Sequence, residues 1–192
     1  MRTRATNLRA NGRRLVVGLA LAGAVCALSG CGLTAEQEAK QVATQQAQLA
    51  ALISRADGWG AGILAQIPEP EIKTLTDNIG GAYAASDYYE EWPKYYYWHH
   101  LVVLHPDGPR TPTQLADDLE PWLQDHGWKR YKTHERPPAD DRFTRYYVQD
   151  AYLLGIEAYT VAPPRAQTVG FSILTPETDP HEPAPPTPTP DL

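Results

Sequence analysis

The histidines are the side chains of this chain best suited to binding a metal or moving a proton, and five of the six lie between positions 99 and 134. His99, His100 and His105 fall on one predicted strand. His99 and His105 share a face of it, but at about 3.3 Å per residue they stand roughly 20 Å apart, whereas zinc ligands converge at about 2.1 Å. His100 could still meet a histidine of another element. We expect structural or surface histidines, no metal site and no cofactor.

Paired carboxylates are the second candidate for chemistry. There are three such pairs: Glu90-Glu91, Asp117-Asp118 and Asp140-Asp141. Two carboxylates about 5–10 Å apart across a cleft could hydrolyse a glycosidic bond. Adjacent residues of a strand or helix point apart, however, so each pair gives at most one acid to a site. A solvated acidic surface is the expected role.

Common catalytic motifs are absent from the sequence, which has no Gly-x-Ser-x-Gly, no His-Glu-x-x-His and no glycine-rich phosphate loop. We therefore expect that the chain is not an enzyme and assign no catalytic residue. The alternative that stays open is a small hydrolase of unusual type, acting through His100 and an acid such as Asp141.

An aromatic stretch between positions 83 and 98 is the best candidate for binding. Its members are Tyr83, Tyr88, Tyr89, Trp92, Tyr95, Tyr96, Tyr97 and Trp98. Tyrosine and tryptophan offer a large rigid surface with a polar tip. The last four lie on a predicted strand, where they could simply fill the core. The candidate binding surface, for a protein or a glycan, consists of the residues in the preceding predicted loop: Tyr83, Tyr88, Tyr89 and Trp92.

The N-terminus indicates where such a surface would work. Met1–Arg14 carries five arginines and no acidic residue, and Leu15–Leu28 is an apolar run of 14 residues. That run is too short for a permanent membrane helix, which needs about 20 residues. A basic leader, a short apolar run and then small residues follow the order of a secretory signal peptide.

The segment Leu28-Ser29-Gly30-Cys31 resembles the lipobox of bacterial lipoproteins. The resemblance implies that residues 1–30 are a signal peptide, that cleavage falls between Gly30 and Cys31, and that the thiol of Cys31 carries a diacylglyceryl group. It also implies anchorage at the extracytoplasmic face of the cell membrane. Arg13-Arg14 loosely resembles a twin-arginine signal, so the export route stays open.

The mature chain is expected to be acidic and free of thiols. Cys26 leaves with the leader and Cys31 is taken by lipid, which excludes a disulfide and a catalytic thiolate. Without the five leader arginines, 12 basic residues face 23 acidic ones, a net charge near −11. Bulk charge of that sign attracts neither nucleic acid nor anionic headgroups, so membrane attachment depends on the lipid anchor.

The first predicted element is a helix over Thr34–Asp57. Thr34 and Gln37 have capping-box spacing, and Gly58 suits the helix end. Apolar residues recur every seven positions at Ala35, Val42, Leu49 and Ala56. This thin stripe favours a helix that packs on a sheet, and a short coiled coil is the alternative.

The remaining elements are predicted from alternating apolar residues and from the glycines and prolines between them. Tyr95–His105 is predicted as a central strand covered on both faces, because both its faces are largely apolar. Thr111–His126 is the second helix, with a kink expected at Pro121. Further strands are predicted over Trp128–Thr133, Phe143–Val148, Tyr152–Val161 and Thr168–Leu174. Seven prolines between positions 176 and 190 predict a disordered tail over residues 175–192.

Strands joined by short turns are antiparallel neighbours, so the predicted fold class is α+β. The N-terminal helix and a second helix pack on one antiparallel sheet of about four or five strands. The domains are a lipidated N-terminus and helix over residues 31–57 and a globular α+β domain over residues 58–174. This order of elements, with Pro106-Asp107-Gly108 and His126-Gly127-Trp128, resembles small actinobacterial cell-envelope lipoproteins of unassigned activity.

Two functions from different classes are therefore predicted. The first is a non-enzymatic, membrane-anchored binding or accessory module of the cell envelope. The second is a small envelope hydrolase acting on cell-wall material. An exposed aromatic surface favours the first, and an acid or base set in a pocket favours the second.

Overall fold

A computed structural model gives the fold and describes residues 33–85, 91–139, 142–160 and 167–182. The proposed cleavage site and Cys31 lie outside these residues, as do Tyr88, Tyr89 and Asp141. The helices are α1 (Ala35–Leu64) and α2 (Pro112–Asp125), with short 3-10 helices over Glu69–Glu71 and Lys132–His134. The strands are β1 (Ile72–Leu75), β2 (Gly81–Ala84), β3 (Lys94–Leu104), β4 (Lys129–Arg130), β5 (Arg136–Ala139), β6 (Arg142–Gln149), β7 (Tyr152–Tyr159) and β8 (Gln167–Leu174).

All eight strands belong to one antiparallel sheet. Its order is β1-β3-β8-β7-β6-β4, while β2 also pairs with β3 and β5 with β6. The predicted α+β class, with two helices packed on an antiparallel sheet, is confirmed. The sheet is larger than the predicted four or five strands, because β1, β2 and β5 have only four residues each and give too little alternation to recognise. The strand predicted over Trp128–Thr133 is present only as the two residues of β4.

Helix α1 begins as predicted and ends later. Thr34 and Gln37 form the capping box in both directions. The prediction that Gly58 ends the helix is wrong, since α1 continues to Leu64. A Cβ atom at Gly60 would lie 2.3 Å from the ring of Trp98. Gly60 therefore serves close helix–sheet packing and does not act as a stop signal.

Helix α1 packs on the sheet as the sequence analysis favoured. Leu52, Ala56 and Ile63 are buried in the same core as the sheet residues. Residue 58, where we expected one domain to give way to the next, lies inside this helix. None of the described helices combines the length and the hydropathy that a membrane span needs.

The bounds of helix α2 agree with the predicted helix over Thr111–His126. Thr111 caps it with Gln114 in a second capping box, and Pro121 lies within it. Leu115, Leu119 and Leu123 are buried against the sheet. Both helices thus cover the same side of the sheet.

Strand β3 is central, but only one of its faces is covered. Tyr96, Trp98, Val102 and Leu104 are buried beneath the helices, whereas the alternate residues from Tyr95 to Val103 are only half-buried. The prediction of a strand covered on both faces is wrong. Aromatic and aliphatic residues occupy both faces, and apolarity alone does not indicate which one receives the helices.

The predicted disordered tail is packed where the structure describes it, over residues 175–182. Thr178 is 4% exposed, and its hydroxyl accepts the Lys94 amide at 2.9 Å and donates to the Gln45 side chain at 3.0 Å. Thr175 likewise accepts the Tyr96 amide at 2.9 Å. The prolines exclude a helix, but threonine side chains supply the hydrogen bonds that hold this segment against β3 and α1.

Candidate binding surface

The side of the sheet opposite the helices carries the exposed Tyr83 and several half-buried tyrosines, and we call it the open face. The strand register determines which residues lie side by side on this face, because residues paired on neighbouring strands point to the same side of the sheet. One row joins His99, Ser172, Gly155 and Tyr146. The open face is defined by Tyr83, Tyr95, Tyr97, His99, Arg142, Tyr146, Glu157 and Tyr159.

Stacked rings form one half of the open face. Tyr83 lies on β2 directly opposite Tyr95, and the two rings stack with centroids 5.8 Å apart. Tyr97 and His99 stack in the same way at 5.6 Å. Tyr83 is 45% exposed, and Tyr95, Tyr97 and His99 are half-buried. These rings form two stacked pairs that are partly exposed to solvent.

Glycines in β7 and β8 allow neighbouring side chains to pack closely against the strand backbone. A Cβ atom at Gly155 would lie 2.8 Å from the hydroxyl oxygen of Ser172 and 3.4 Å from the ring of Tyr146. A Cβ atom at Gly170 would lie 3.6 Å from Nε2 of His99. The strand interior therefore uses glycine where another side chain approaches closely.

Hydrogen-bonding groups form the other half of the open face. The Arg142 guanidinium lies 3.6 Å from a carboxylate oxygen of Glu157 and 4.8 Å from the ring centroid of Tyr159. The Tyr159 hydroxyl donates to Glu157 at 3.3 Å. Arg142 and Glu157 are each more than 40% exposed, so solvent competes with this ion pair and a ligand can replace the water.

His99 is the side chain in the aromatic half of the open face that titrates closest to neutral pH. Burial lowers the pKa of His99 below its usual 6.5, and the nearby Glu157 carboxylate opposes part of that effect. His99 is therefore a neutral imidazole at neutral pH, with one nitrogen to donate and one to accept. The surface can bind a ligand by ring stacking, by hydrogen bonds to the neutral His99 and by hydrogen bonds to the charged Arg142 and Glu157.

The structure separates the aromatic residues that the sequence had grouped. Tyr83 lies on the open face beside Tyr95. Trp92 lies elsewhere: it lines a cavity with Val42 of α1 and Pro180, and the Lys94 ammonium lies 4.7 Å from its ring centroid. Of the four predicted residues, one is thus placed on the open face and one beside α1. Tyr88 and Tyr89 lie outside the described residues.

Of the two residues named for the alternative hydrolase, the structure describes only His100. His100 lies on the helix side of β3, where its Nδ1 lies 2.8 Å from the carbonyl oxygen of Thr76, and its ring is 4.6 Å from that of Trp98. A carbonyl partner requires Nδ1 to carry the proton. This geometry explains His100 as a residue that ties β3 to the segment after β1. Its proposed partner Asp141 lies outside the described residues.

Sequence reasoning missed most of the open face. The spacing of Tyr95, Tyr97 and His99 at every second position was visible, but these residues were interpreted as part of a covered strand. Glu157 and Tyr159 join them only through the register of β3, β8 and β7. Such long-range register leaves no signal in local sequence.

Comparisons of the chain with protein-family models, with curated proteins and with solved structures found no match. The interpretation of the open face therefore depends on its own geometry and chemistry.

Proposed function

We propose that this chain is a lipid-anchored protein of the extracytoplasmic face of the cell membrane. It acts there as a non-enzymatic binding module of the cell envelope, and the open face binds an envelope glycan. The observation that carries the proposal is the row of stacked rings at Tyr83, Tyr95, Tyr97 and His99, which both helices leave uncovered. An exposed aromatic patch of this kind marks a binding surface in a soluble domain.

A glycan suits the open face better than a charged ligand. The C–H faces of a sugar ring stack on tyrosine rings, whose faces are electron-rich. The hydroxyl groups of the sugar need donors and acceptors at the side, which Glu157, Arg142 and Tyr159 supply. Arg142 and Glu157 have opposite charges, and His99 is neutral near pH 7 because its pKa is lowered.

The lipid anchor supplies the location in this proposal. It follows from the resemblance of Leu28–Cys31 to a lipobox and from the acidic mature chain, which needs an anchor to stay at a membrane. The test is the variant Cys31→Ser with fractionation and intact mass measurement. The wild type is expected in the membrane fraction, without residues 1–30 and with added lipid mass, and the variant is expected to lose the lipid. A wild-type chain of unmodified mass would contradict the anchor.

The binding test compares two variants of the full chain in detergent. We would measure its co-sedimentation with insoluble bacterial cell-wall glycan freed of protein. The double variant Tyr83→Ala/Tyr97→Ala removes two rings of the open face and is expected to weaken binding about tenfold or more, at 0.5–1.5 kcal/mol per ring contact. Trp92→Ala is the matched control, because this aromatic residue lies away from the open face.

Each outcome of that comparison has a distinct meaning. Loss of binding in Trp92→Ala alone would return the site to the loop predicted from sequence. No binding of the wild type to glycan would contradict the proposed ligand. A chain tagged in its tail and cross-linked in cells would then show whether one dominant protein is captured and is lost in the double variant, which would replace the glycan with a protein. Circular dichroism of each variant controls for folding.

A further inference from the structure

A second recess lies on the helix side of the sheet, away from the open face. It has a volume of about 280 Å³, opens to solvent and is lined by residues of α1, the β6–β7 turn and the C-terminal segment. We call it the acidic recess. Its lining includes six polar residues that carry a charge or a hydroxyl: Arg55, Asp150, Tyr152, Glu177, Asp179 and Glu182.

One wall of the acidic recess is fixed by a buried glutamine of α1. Gln48 is 4% exposed; its side-chain oxygen accepts the Asp179 amide at 2.8 Å, and its side-chain nitrogen donates to the Asp179 carbonyl at 2.8 Å. The same nitrogen also donates to the carbonyl of Glu182. These contacts fix the backbone of the C-terminal segment beside α1, while Glu177 and Glu182 themselves are exposed.

The lining carries more negative than positive charge. Asp150, Glu177, Asp179 and Glu182 supply four carboxylates. The guanidinium of Arg55 lies 3.6 Å from the Asp150 carboxylate, which accounts for one of the four. A surplus of carboxylates in a concave site attracts a cation.

A buried hydroxyl gives an independent indication of a ligand. Tyr152 is 2% exposed, and its hydroxyl has no hydrogen-bond partner among the described residues. Burial raises its pKa to about 12, with opposing influences from Arg55 and Asp150, two charged residues of the recess. The hydroxyl therefore stays protonated and lies within the field of this lining. A buried polar group without a partner is costly unless something satisfies it.

We infer that the acidic recess binds a primary alkylammonium group, such as the side chain of a lysine in a peptide. An ammonium has three hydrogens to donate. Glu177, Glu182 and Tyr152 are lining residues that carry acceptor oxygens, while Leu52 offers apolar surface to the alkyl stem. This site is separate from the open face, and each can fail without the other.

The test is calorimetric titration of the full chain in detergent with Nα-acetyl-lysine methylamide. Its Nε-acetylated analogue is the matched ligand without a charge. We expect the charged probe to bind at least about tenfold more tightly than the analogue, since the ion pairs and charge-assisted hydrogen bonds are lost.

Two variants locate the site. Tyr152→Phe is expected to weaken binding about fivefold by removing one hydrogen bond, without lowering the thermal unfolding midpoint, because the described part of the chain offers the hydroxyl no partner. Glu177→Gln/Glu182→Gln is expected to weaken binding about tenfold and to reduce its dependence on salt. Asp125→Asn, a change of the same kind on α2 and outside the recess, should leave binding unchanged.

Several results would overturn the inference. They are the absence of binding by the charged probe, equal binding of the acetylated analogue, and unchanged binding in both recess variants. Competition by calcium ions that is stronger than that of the probe, and lost in the double variant, would assign the carboxylates to a metal instead.

Discussion

The charged residues on the two faces of the sheet differ in how closely they are paired and in how exposed they are. On the covered face, Glu120 of α2 accepts from Arg130 at 2.8 Å, and Arg130 also donates to Glu135 at 2.7 Å. On the open face, Arg142 and Glu157 lie 3.6 Å apart and are each more than 40% exposed. The covered pairs are close and sheltered, whereas the open pair is loose and solvated.

The covered network extends across α2 and β6. Arg145 donates to Asp117 and lies 3.6 Å from Glu120. The hydroxyl of the buried Tyr147 donates to Glu120 at 3.4 Å. Burial, reinforced by the Glu120 charge, raises the pKa of Tyr147 to about 12. Glu120 is thus the common partner of two arginines and a tyrosine.

This difference distinguishes charged groups that stabilise the fold from charged groups that are available to bind a ligand. A sheltered group with several partners cannot change partners without a large loss of stability. A half-exposed group on the open face exchanges water for a ligand at small expense. The following predictions test whether stability depends on the covered face and recognition on the open face.

The largest effect is expected in α1, where two glycines differ in their surroundings. Gly60→Ala would place a Cβ atom 2.3 Å from the ring of Trp98, and forcing α1 and β3 apart should lower the free energy of unfolding by about 2–3 kcal/mol. Gly58 is exposed with nothing within 4 Å of a Cβ, so Gly58→Ala should raise it by up to about 1 kcal/mol. Urea unfolding followed by tryptophan fluorescence measures both. Equal effects would show that helix–sheet contact is looser than the structure indicates.

The next prediction removes a carboxylate charge from each face. Glu120→Gln weakens the pairing of Arg130 and Arg145, which should lower the free energy of unfolding by about 2 kcal/mol after allowance for their partial exposure. Glu157→Gln, the same change on the open face, should alter it by less than about 0.5 kcal/mol. Thermal unfolding at neutral pH compares the two variants with the wild type. A loss in Glu157→Gln as large as that in Glu120→Gln would break the distinction between the faces.

A smaller loss is expected in the C-terminal segment. Thr178→Val removes an acceptor for the Lys94 amide and a donor to Gln45, which should lower the free energy of unfolding by about 1–2 kcal/mol. Thr74→Val on the exposed strand β1 is the matched control, with a change below about 0.5 kcal/mol. If both variants unfold at the wild-type midpoint, the segment over residues 175–182 contributes nothing to the fold, as the sequence had suggested.

Local signals and long-range contacts explain what the sequence could predict. Both capping boxes, at Thr34 and Thr111, were recognisable because every participant lies within three residues. The continuation of α1 past Gly58 was not, because the reason for Gly60 is a ring 38 positions away. The apolar residues of β3 correctly predicted a strand. The prediction that both faces of this strand are covered was wrong.

The candidate surface was predicted only in part for the same reason. Tyr83 could be identified by its place in an aromatic stretch, although its exposure on β2 follows from pairing with β3. Trp92 has the same residue chemistry and lies beside α1 instead. Composition identified the class of side chain, and only the register of the sheet shows which rings share a face.

The smallest effect concerns His99, whose environment is set by the open face. Burial lowers its pKa below 6.5, and Glu157 raises it in part, so Glu157→Gln should lower the pKa of His99 further. Because the folded pKa lies below the unfolded value, His99 contributes stability that is fully present above about pH 6.5 and is lost as the pH falls through the folded pKa. His99→Gln should therefore flatten the fall in thermal midpoint between about pH 7 and pH 5. Histidine ring NMR titration of the wild type and of Glu157→Gln measures the shift. A His99 pKa above 6.5 would mean that the Glu157 charge outweighs burial, and the open face would then carry a cation at its centre in mildly acidic conditions.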